Sequence, residues 1–152
     1  MIETRHASLV YLDHGKGVPA CHEANVRVND GEFLGILGPS GSGKSSLLYL
    51  LCGLKSPTSG EVLVDGKNMG DMSDSERADL RLRSFGFVFQ HPYLLGYLTA
   101  LENVLVARPD EDRTDEARGL LDELGIGSKA HRMPHELSGG ERQRVCVARA
   151  LL

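Results

Sequence analysis

The sequence contains no tryptophan, few aromatic residues of any kind (5%) and only three cysteines among its 152 residues. Because the cysteines are odd in number and irregularly spaced, they outline no disulfide framework, and a reducing compartment is the simplest setting. They are Cys21, Cys52 and Cys146. The longest apolar run, from Leu47 to Cys52, falls far short of the roughly 20 residues that cross a bilayer. No signal peptide is expected at the N-terminus.

An excess of basic residues is also missing, since the formal net charge is −4. No strong positive field therefore attracts nucleic acid, and we expect no nucleic-acid partner. Charged residues make up 25% of the chain and hydrophobic residues 41%, as in ordinary soluble domains. Length and composition together predict one globular domain with a core of its own.

The stretch from Gly38 to Ser45 fits the phosphate-loop pattern of a glycine, four residues, and Gly-Lys-Ser. The short apolar run 33–37 before it predicts a buried strand, and the leucine-rich segment 46–54 after it predicts a helix. The unpaired N–H groups and the dipole of a helix N-terminus favour a bound phosphate. A chance glycine-rich turn is the alternative, but the strand and helix on either side argue against it.

Each residue type in this loop suits phosphate chemistry. Gly38, Gly41 and Gly43 allow positive φ and close approach of the backbone to an anion. The ammonium of Lys44 is expected to reach the β- and γ-phosphates, and the hydroxyl of Ser45 suits Mg²⁺, which prefers oxygen ligands. The sequence therefore predicts a nucleoside triphosphate site.

Periodicity and turn residues predict an α/β fold made of an incomplete P-loop NTPase core, an N-terminal antiparallel β part and a small helical lobe. The first two strands are separated by a loop rich in glycine and proline. The predicted strands are 7–11, 24–28, 33–37, 61–65 and 85–89. The predicted helices are 46–54, apolar nearly all round and centrally buried, 73–83, one capped by Thr99, one carrying Ala117, Leu120, Leu121 and Leu124, and one from Ser138 to Leu152.

Three single positions are weaker candidates. Tyr11 is an aromatic residue at a sheet edge, where it either stacks on a base or packs on the sheet. Gln90 follows strand 85–89, and ligand groups in α/β sheets come from strand ends. Asp65 ends an apolar strand as a Mg²⁺ ligand would, but the Gly66 that follows favours a turn.

The segment 137–143, Leu-Ser-Gly-Gly-Glu-Arg-Gln, is the second informative motif. Ser138 and Glu141 form a capping box, which by itself explains a helix start. Gly139 and Gly140 are poor helix formers, each costing about 1 kcal/mol against alanine. That cost is understandable if the bare helix start must lie against a second phosphate. Two phosphate sites in one chain predict two copies that share nucleotides.

These motifs together resemble the nucleotide-binding domain of an ABC transporter. The stretch 38–45 matches the Walker A loop, Gln90 the Q-loop, and 137–143 the family signature. Segments 87–90 and 98–104 are similar to the lipoprotein-releasing and macrolide-exporting branch. The resemblance covers nearly the whole chain, and the signature is its most specific part.

The resemblance implies ATP and Mg²⁺ as cofactors, with Ser45 and Gln90 at the metal and Lys44 and Gln90 as catalytic residues. It implies that Tyr11 stacks on adenine. It also implies that the signature residues clamp the γ-phosphate held by the opposite subunit. The implied nucleotide-binding residues are Tyr11, Gly38, Ser40, Gly41, Ser42, Gly43, Lys44, Ser45, Ser46 and Gln90. The implied signature contacts in trans are Ser138, Gly139, Gly140 and Glu141.

The implied partners are a second ATP-binding subunit, in a homodimer, and a transmembrane permease. The apolar loop segment 93–97 is the candidate docking surface for the permease. The implied location is cytoplasmic, peripheral on the inner face of the cell membrane. We further expect three parts: a nucleotide-binding core and antiparallel β part (1–90), a helical lobe (91–137) and the signature helix (138–152).

The chain departs from the family pattern at its end. The family continues beyond the signature helix with a strand that carries an aspartate and a catalytic glutamate, and neither follows Leu152. We therefore expect a C-terminal truncation before the Walker B strand, without the general base, and little ATP hydrolysis by this chain alone. The interval 104–138 also looks short, which suggests a trimmed lobe.

The predicted function is ATP binding and, in the longer parent, ATP hydrolysis that drives transport across a membrane. Two alternatives stay open at this point. One is a soluble ABC protein that acts outside transport, although the chain has neither the long insertions nor the tandem cassettes usual there. The other is a non-catalytic nucleotide-binding module, if Leu152 is the natural end.

Overall fold

The computed structural model describes all residues from Met1 to Leu152, and they form two compact units. The first unit comprises Met1–Arg81 and the second Leu82–Leu152. None of the helices is both long enough and apolar enough to span a membrane. The threefold division at residues 90 and 137 that the sequence suggests remains a prediction.

The first unit is built on one antiparallel sheet with the strand order β2-β1-β3-β4. Its strands are β1 (Ile2–Asp13), β2 (Lys16–Val28), β3 (Ser59–Val64) and β4 (Lys67–Asn68). In the central strand, Ile2 lies opposite Val28 on one side and Val64 on the other. This sheet confirms the α/β class with an N-terminal antiparallel β part.

The first hairpin is tighter than the sequence indicated. The expected loop between the predicted strands 7–11 and 24–28 is wrong, because β1 continues to Asp13 and β2 starts at Lys16. His14 and Gly15 alone make the turn, with φ of 46° and 78°. Two consecutive residues with positive φ match the twist of a two-residue hairpin, so the strands stay paired up to the turn.

Helix α1 (Lys44–Leu51) follows the phosphate loop and packs on β1 and β2. It buries Leu50 and Leu51, whereas Leu48 is about half exposed. The expectation of a helix buried all round is therefore wrong: one face lies on the sheet and the other is open. Helix α2 (Asp74–Ser84) begins in the first unit, and its last three residues are assigned to the second. None of its residues is fully buried.

Two predicted strands do not form. The segments 33–37 and 85–89 pair with no other part of the chain. Phe33 is 98% and Leu37 93% exposed, although both are strongly apolar. A buried strand needs hydrogen-bonded neighbours on its edges, and hydrophobicity alone cannot supply them.

The second unit is helical, with α3 (Ala100–Leu105), α4 (Thr114–Glu123) and α5 (Gly139–Leu151). Helices α3 and α4 pack against each other, and both pack against α5. Thr99 caps α3 in a full capping box with Glu102, which confirms the sequence prediction. The shared core consists of Ala100, Leu101, Val104, Ala117, Leu121, Ile126, Ala130, Leu137, Val145, Ala148 and Leu152.

Candidate nucleotide-binding site

The phosphate loop leads directly into α1. Gly43 occupies the N-cap position with φ 86°, and no side chain caps the helix. The first N–H groups of α1 are therefore free of side-chain acceptors within the protein. Gly38 and Gly41 also have positive φ, 154° and 80°, which residues with a Cβ rarely adopt. The arrangement is one that binds an anion through backbone N–H groups.

Strand β2 forms one wall beside the loop. A Cβ on Gly43 would lie well inside contact distance of the Ala20 carbonyl oxygen, so the loop passes directly over the strand. The two segments enclose a pocket of about 380 Å³. Cys21 and His22 line this pocket, a contribution from β2 that the loop motif alone does not reveal.

The Lys44 side chain folds back over the loop. Its Nζ donates to the carbonyl oxygens of Gly38, at 2.9 Å, and Pro39, at 2.7 Å. The ammonium charge thus lies among the loop residues, beside the start of α1. Ser40 and Ser45 are exposed, whereas the neighbouring Ser46 is half-buried. The residues predicted from 38 to 46 are therefore brought together around one helix N-terminus.

Tyr11 lies on β1, paired with Val18 across the hairpin. Its side chain is 36% exposed, so part of the ring is accessible and part rests on the protein. Stacking of Tyr11 on a base remains a prediction.

In the second unit, the segment that carries Gln90 is attached to α5. Gln90 is exposed, and its neighbour Phe89 accepts a hydrogen bond from Gln143 Nε2 at 2.9 Å. Arg149 Nη1 donates to the Tyr93 carbonyl, also at 2.9 Å. Helix α5 thus holds the backbone on both sides of Gln90. The signature motif contains Gln143, but the motif does not predict this role for Gln143 or for Arg149.

The signature helix begins as the sequence predicts. The Ser138 N–H donates to Glu141 Oε2 at 2.7 Å, and the Glu141 N–H donates to Ser138 Oγ at 3.2 Å. These bonds from Ser138 lower the pKa of the Glu141 carboxyl, with smaller help from the charges of Lys129 and Arg144. Gly139 and Gly140 are exposed, and a Cβ added to either would meet no atom within 4 Å.

The bare surface at the two glycines shows that nothing inside the chain requires glycine there. Their φ angles are not among the positive ones, so backbone conformation does not require it either. The two glycines thus leave the backbone at the start of α5 without side-chain cover.

The apolar loop before α3 is held from beneath by a buried asparagine. Asn103 is fully buried; its Oδ1 accepts from the Leu95 N–H at 2.7 Å. Its Nδ2 lies 2.9–3.0 Å from the carbonyl oxygens of Leu95, Leu98 and Thr99. Above this support, Tyr93 and Tyr97 are 67% and 73% exposed. The loop is thus shaped by internal hydrogen bonds while its aromatic side chains face outward.

The sequence profile of the ABC transporter family matches residues 21–152. The chain belongs to the ABC transporter family. It is 49% identical over 132 residues to the lipoprotein-releasing system ATP-binding protein LolD of Aquifex aeolicus, which covers 84% of this chain and 59% of that protein. LolD of Xanthomonas campestris pv. campestris is 46% identical, with 100% of this chain and 66% of that protein aligned. The resemblance to the lipoprotein-releasing branch is thereby confirmed.

Solved structures agree with the sequence relatives. The dimeric structure of MJ0796, described as a bacterial ABC transporter cassette, matches with a TM-score of 0.92 and 37% identity. The match covers 99% of this chain and 69% of that one. A second MJ0796 structure, a post-hydrolysis state bound to ADP and Pi, matches with the same TM-score at 36% identity over the same shares. The chain thus spans 59% of the length of the LolD protein of Aquifex aeolicus and 69% of the length of the MJ0796 chain.

Proposed function

We propose that this chain is an ATP-binding subunit of an ABC transporter, in which ATP binding and hydrolysis drive transport through a membrane-embedded partner. The observation that carries the proposal is the presence, in one chain, of two glycine-bearing helix starts. One is the phosphate loop with Lys44 at its mouth, and the other is the bare start of α5. The family match and the ADP-bound MJ0796 cassette support the same function.

Binding of the triphosphate rests on fixed backbone donors and one cation. The N–H groups at the start of α1 are preorganised toward an anion, and Lys44 exchanges its loop carbonyls for phosphate oxygens. Each of the two proposed Mg²⁺ ligands, the Ser45 hydroxyl and the Gln90 amide, offers the hard oxygen that this ion prefers. When bound, the ion would neutralise phosphate charge, as in other phosphoryl-transfer enzymes.

The start of α5 supports a role in a dimer. An exposed helix N-terminus with two glycines and a serine hydroxyl is suited to a phosphate that another molecule brings. The dimeric MJ0796 cassette supports a pair of subunits. We assign Ser138, Gly139, Gly140 and Glu141 to the γ-phosphate bound by a second copy.

The exposed tyrosines of the loop 93–97 are the proposed contact with the membrane partner. Tyr93 and Tyr97 present aromatic surface of the kind enriched in interfaces, and Asn103 keeps the loop in one shape. A subunit docked there is cytoplasmic and peripheral on the inner face of the cell membrane. The LolD relatives, ATP-binding proteins of a lipoprotein-releasing system, support this arrangement.

Replacement of Lys44 tests nucleotide binding. Lys44→Ala removes a charge-assisted contact of about 1.5–3 kcal/mol, so the affinity for a fluorescent ATP analogue should fall about ten- to hundred-fold. Lys67→Ala, an exposed lysine of β4, is the matched control and should bind as the wild type does. Unchanged affinity in Lys44→Ala, with an unchanged melting temperature, would contradict the proposed site.

Replacement of Ser138 tests the role in trans. Ser138→Arg places a large side chain at the start of α5, so we expect ATP binding by the single subunit to persist while the ATP-dependent dimer is lost. Sedimentation velocity with and without ATP measures this. Ser84→Arg, at the exposed end of α2, is the control. Loss of ATP binding by the monomeric Ser138→Arg variant would argue against the trans role.

A further inference from the structure

A lysine lies over the ring of Tyr11. The Lys55 Nζ is 5.8 Å from the ring centroid, inside the roughly 6 Å within which a cation is attracted by an aromatic face. Lys55 makes no ion pair, and its side chain makes no hydrogen bond. The ring of Tyr11 is therefore the aromatic group over which the Lys55 ammonium lies.

The backbone around Lys55 is anchored at both ends. The Lys55 N–H donates to the Tyr49 carbonyl of α1 at 3.0 Å. Three residues later, the Thr58 N–H donates to the Ser8 carbonyl of β1 at 2.7 Å, and Thr58 Oγ1 accepts from the Val10 N–H at 3.0 Å. The segment 55–58 thus joins the helix that follows the phosphate loop to the strand that carries Tyr11.

These contacts place Lys55 beside Tyr11, although Lys55 belongs to none of the nucleotide-binding motifs. Val10 is the immediate neighbour of Tyr11, so the anchor and the cation act on the same part of β1. The ammonium lies over the ring of a residue that is 36% exposed, and its attraction to the ring favours the orientation in which the two face each other. A ring held in one orientation loses less entropy when a base stacks on it.

We propose that Lys55 is a positioning residue for the base of the bound nucleotide: it holds Tyr11 so that the free face of the ring stacks on a purine. This inference rests on the proposed function, since it concerns the same nucleotide. Lys55 should therefore strengthen binding of the base and not of the phosphates, which are held by the loop and Lys44. It requires a cation at position 55, which arginine can also provide.

The test compares ATP with inorganic tripolyphosphate, which carries phosphates but no base. Both are measured by competition against a fluorescent ATP analogue on the full chain. Lys55→Met keeps the apolar stem but removes the charge, so ATP affinity should fall about two- to five-fold, as expected for an exposed cation–π contact. Tripolyphosphate affinity should stay unchanged, and Lys55→Arg should restore ATP binding. Lys67→Met is the matched control.

A double-mutant cycle with Tyr11 isolates the coupling. In a Tyr11→Ala background, Lys55→Met should have no further effect on ATP. Equal losses for ATP and tripolyphosphate would overturn the inference, because Lys55 would then act on phosphate charge. Unchanged ATP affinity in Lys55→Met would also overturn the inference. A higher ATP affinity in Lys55→Met would overturn it too, because it would mean that the ammonium covers the face of the Tyr11 ring on which the base stacks. A wild-type chain that binds neither ligand would overturn the proposed function together with this inference.

Discussion

Gly43 shows how one residue can be required by both conformation and space. Its φ of 86° is unfavourable for any residue with a Cβ, and a Cβ there would lie well inside contact distance of the Ala20 carbonyl oxygen. Gly41 has a similar φ of 80°, but nothing lies within 4 Å of its Cβ position. A side chain at Gly41 would therefore suffer only backbone strain, whereas a side chain at Gly43 would suffer backbone strain and a steric clash with Ala20.

We predict that Gly43→Ala lowers the free energy of unfolding clearly more than Gly41→Ala. Gly41→Ala should cost about 1–2 kcal/mol, the price of a left-handed conformation for an L-residue. Gly43→Ala should add the cost of moving the loop away from β2. Urea denaturation of both variants measures the difference, and equal destabilisation would show that the loop does not press on Ala20.

The role of Asn103 in holding the loop before α3 could not be predicted from its place in the sequence. Its position inside a helix gives no sign that its amide supports three carbonyl groups and one N–H of the preceding loop. Gln143 is similar, because its motif predicts a helix start and not a bond to Phe89, 54 positions earlier. Contacts over such separations depend on how elements pack, which local patterns do not encode.

At the scale of elements, three helix starts use the same device. Ser73 with Glu76, Thr99 with Glu102, and Ser138 with Glu141 each exchange hydrogen bonds at the N-terminus of a helix. Each serine or threonine lowers the pKa of its glutamate below the usual 4.5. The capping-box spacing predicts all three because the interaction spans only four residues.

The lowered pKa of Glu141 makes α5 sensitive to acid. Because the folded-state pKa lies below the unfolded value of 4.5, the stabilising contribution is complete above that value and is lost as the pH falls through the folded pKa. Glu141→Gln keeps an acceptor for the cap but cannot titrate. We predict that its free energy of unfolding declines less than that of the wild type between about pH 6 and about pH 3.

Urea denaturation across this pH range, followed by circular dichroism, checks the prediction. Glu123→Gln is the control, since Glu123 is exposed at the end of α4 and accepts no side-chain hydrogen bond from a cap. An acid decline in Glu141→Gln equal to that of the wild type would show that the α5 cap does not contribute to acid sensitivity.

At the scale of the whole molecule, apolar surface is left uncovered. Phe33 and Leu37 are almost fully exposed, although their segment is composed like a buried strand. Exposed apolar groups of this size contribute little to folding of this chain but favour self-association.

We therefore predict that the double variant Phe33→Ser and Leu37→Ser changes the free energy of unfolding by no more than about 0.5 kcal/mol. Its self-association, followed by light scattering, should decrease. Val62→Ser is the contrasting control, because Val62 is buried in β3 and its loss should destabilise the chain by about 1–3 kcal/mol. A destabilisation of similar size in the Phe33 and Leu37 variant would mean that these side chains are buried in solution.

The parts of this protein that depend on neighbours along the chain could be predicted from residue order alone. The phosphate loop, the three capping boxes and most helices follow from short-range spacing, because a turn, a cap or a helical face is completed within a few residues. The antiparallel β part could also be predicted, although its first two strands are longer and their connecting turn shorter than expected. Family membership followed from the same local motifs, since they are specific enough to be recognised together.

Which apolar segments become strands depends on the packing of distant parts of the chain and could not be predicted from residue order. The runs 33–37 and 85–89 have the composition of strands, yet neither pairs with another strand, and strand formation requires such pairing. The same limit applies to Lys55 beside Tyr11 and to Gln143 beside Phe89, which meet only after distant elements have packed. Local chemistry can be inferred from residue order, whereas pairing depends on which distant segments fold next to each other.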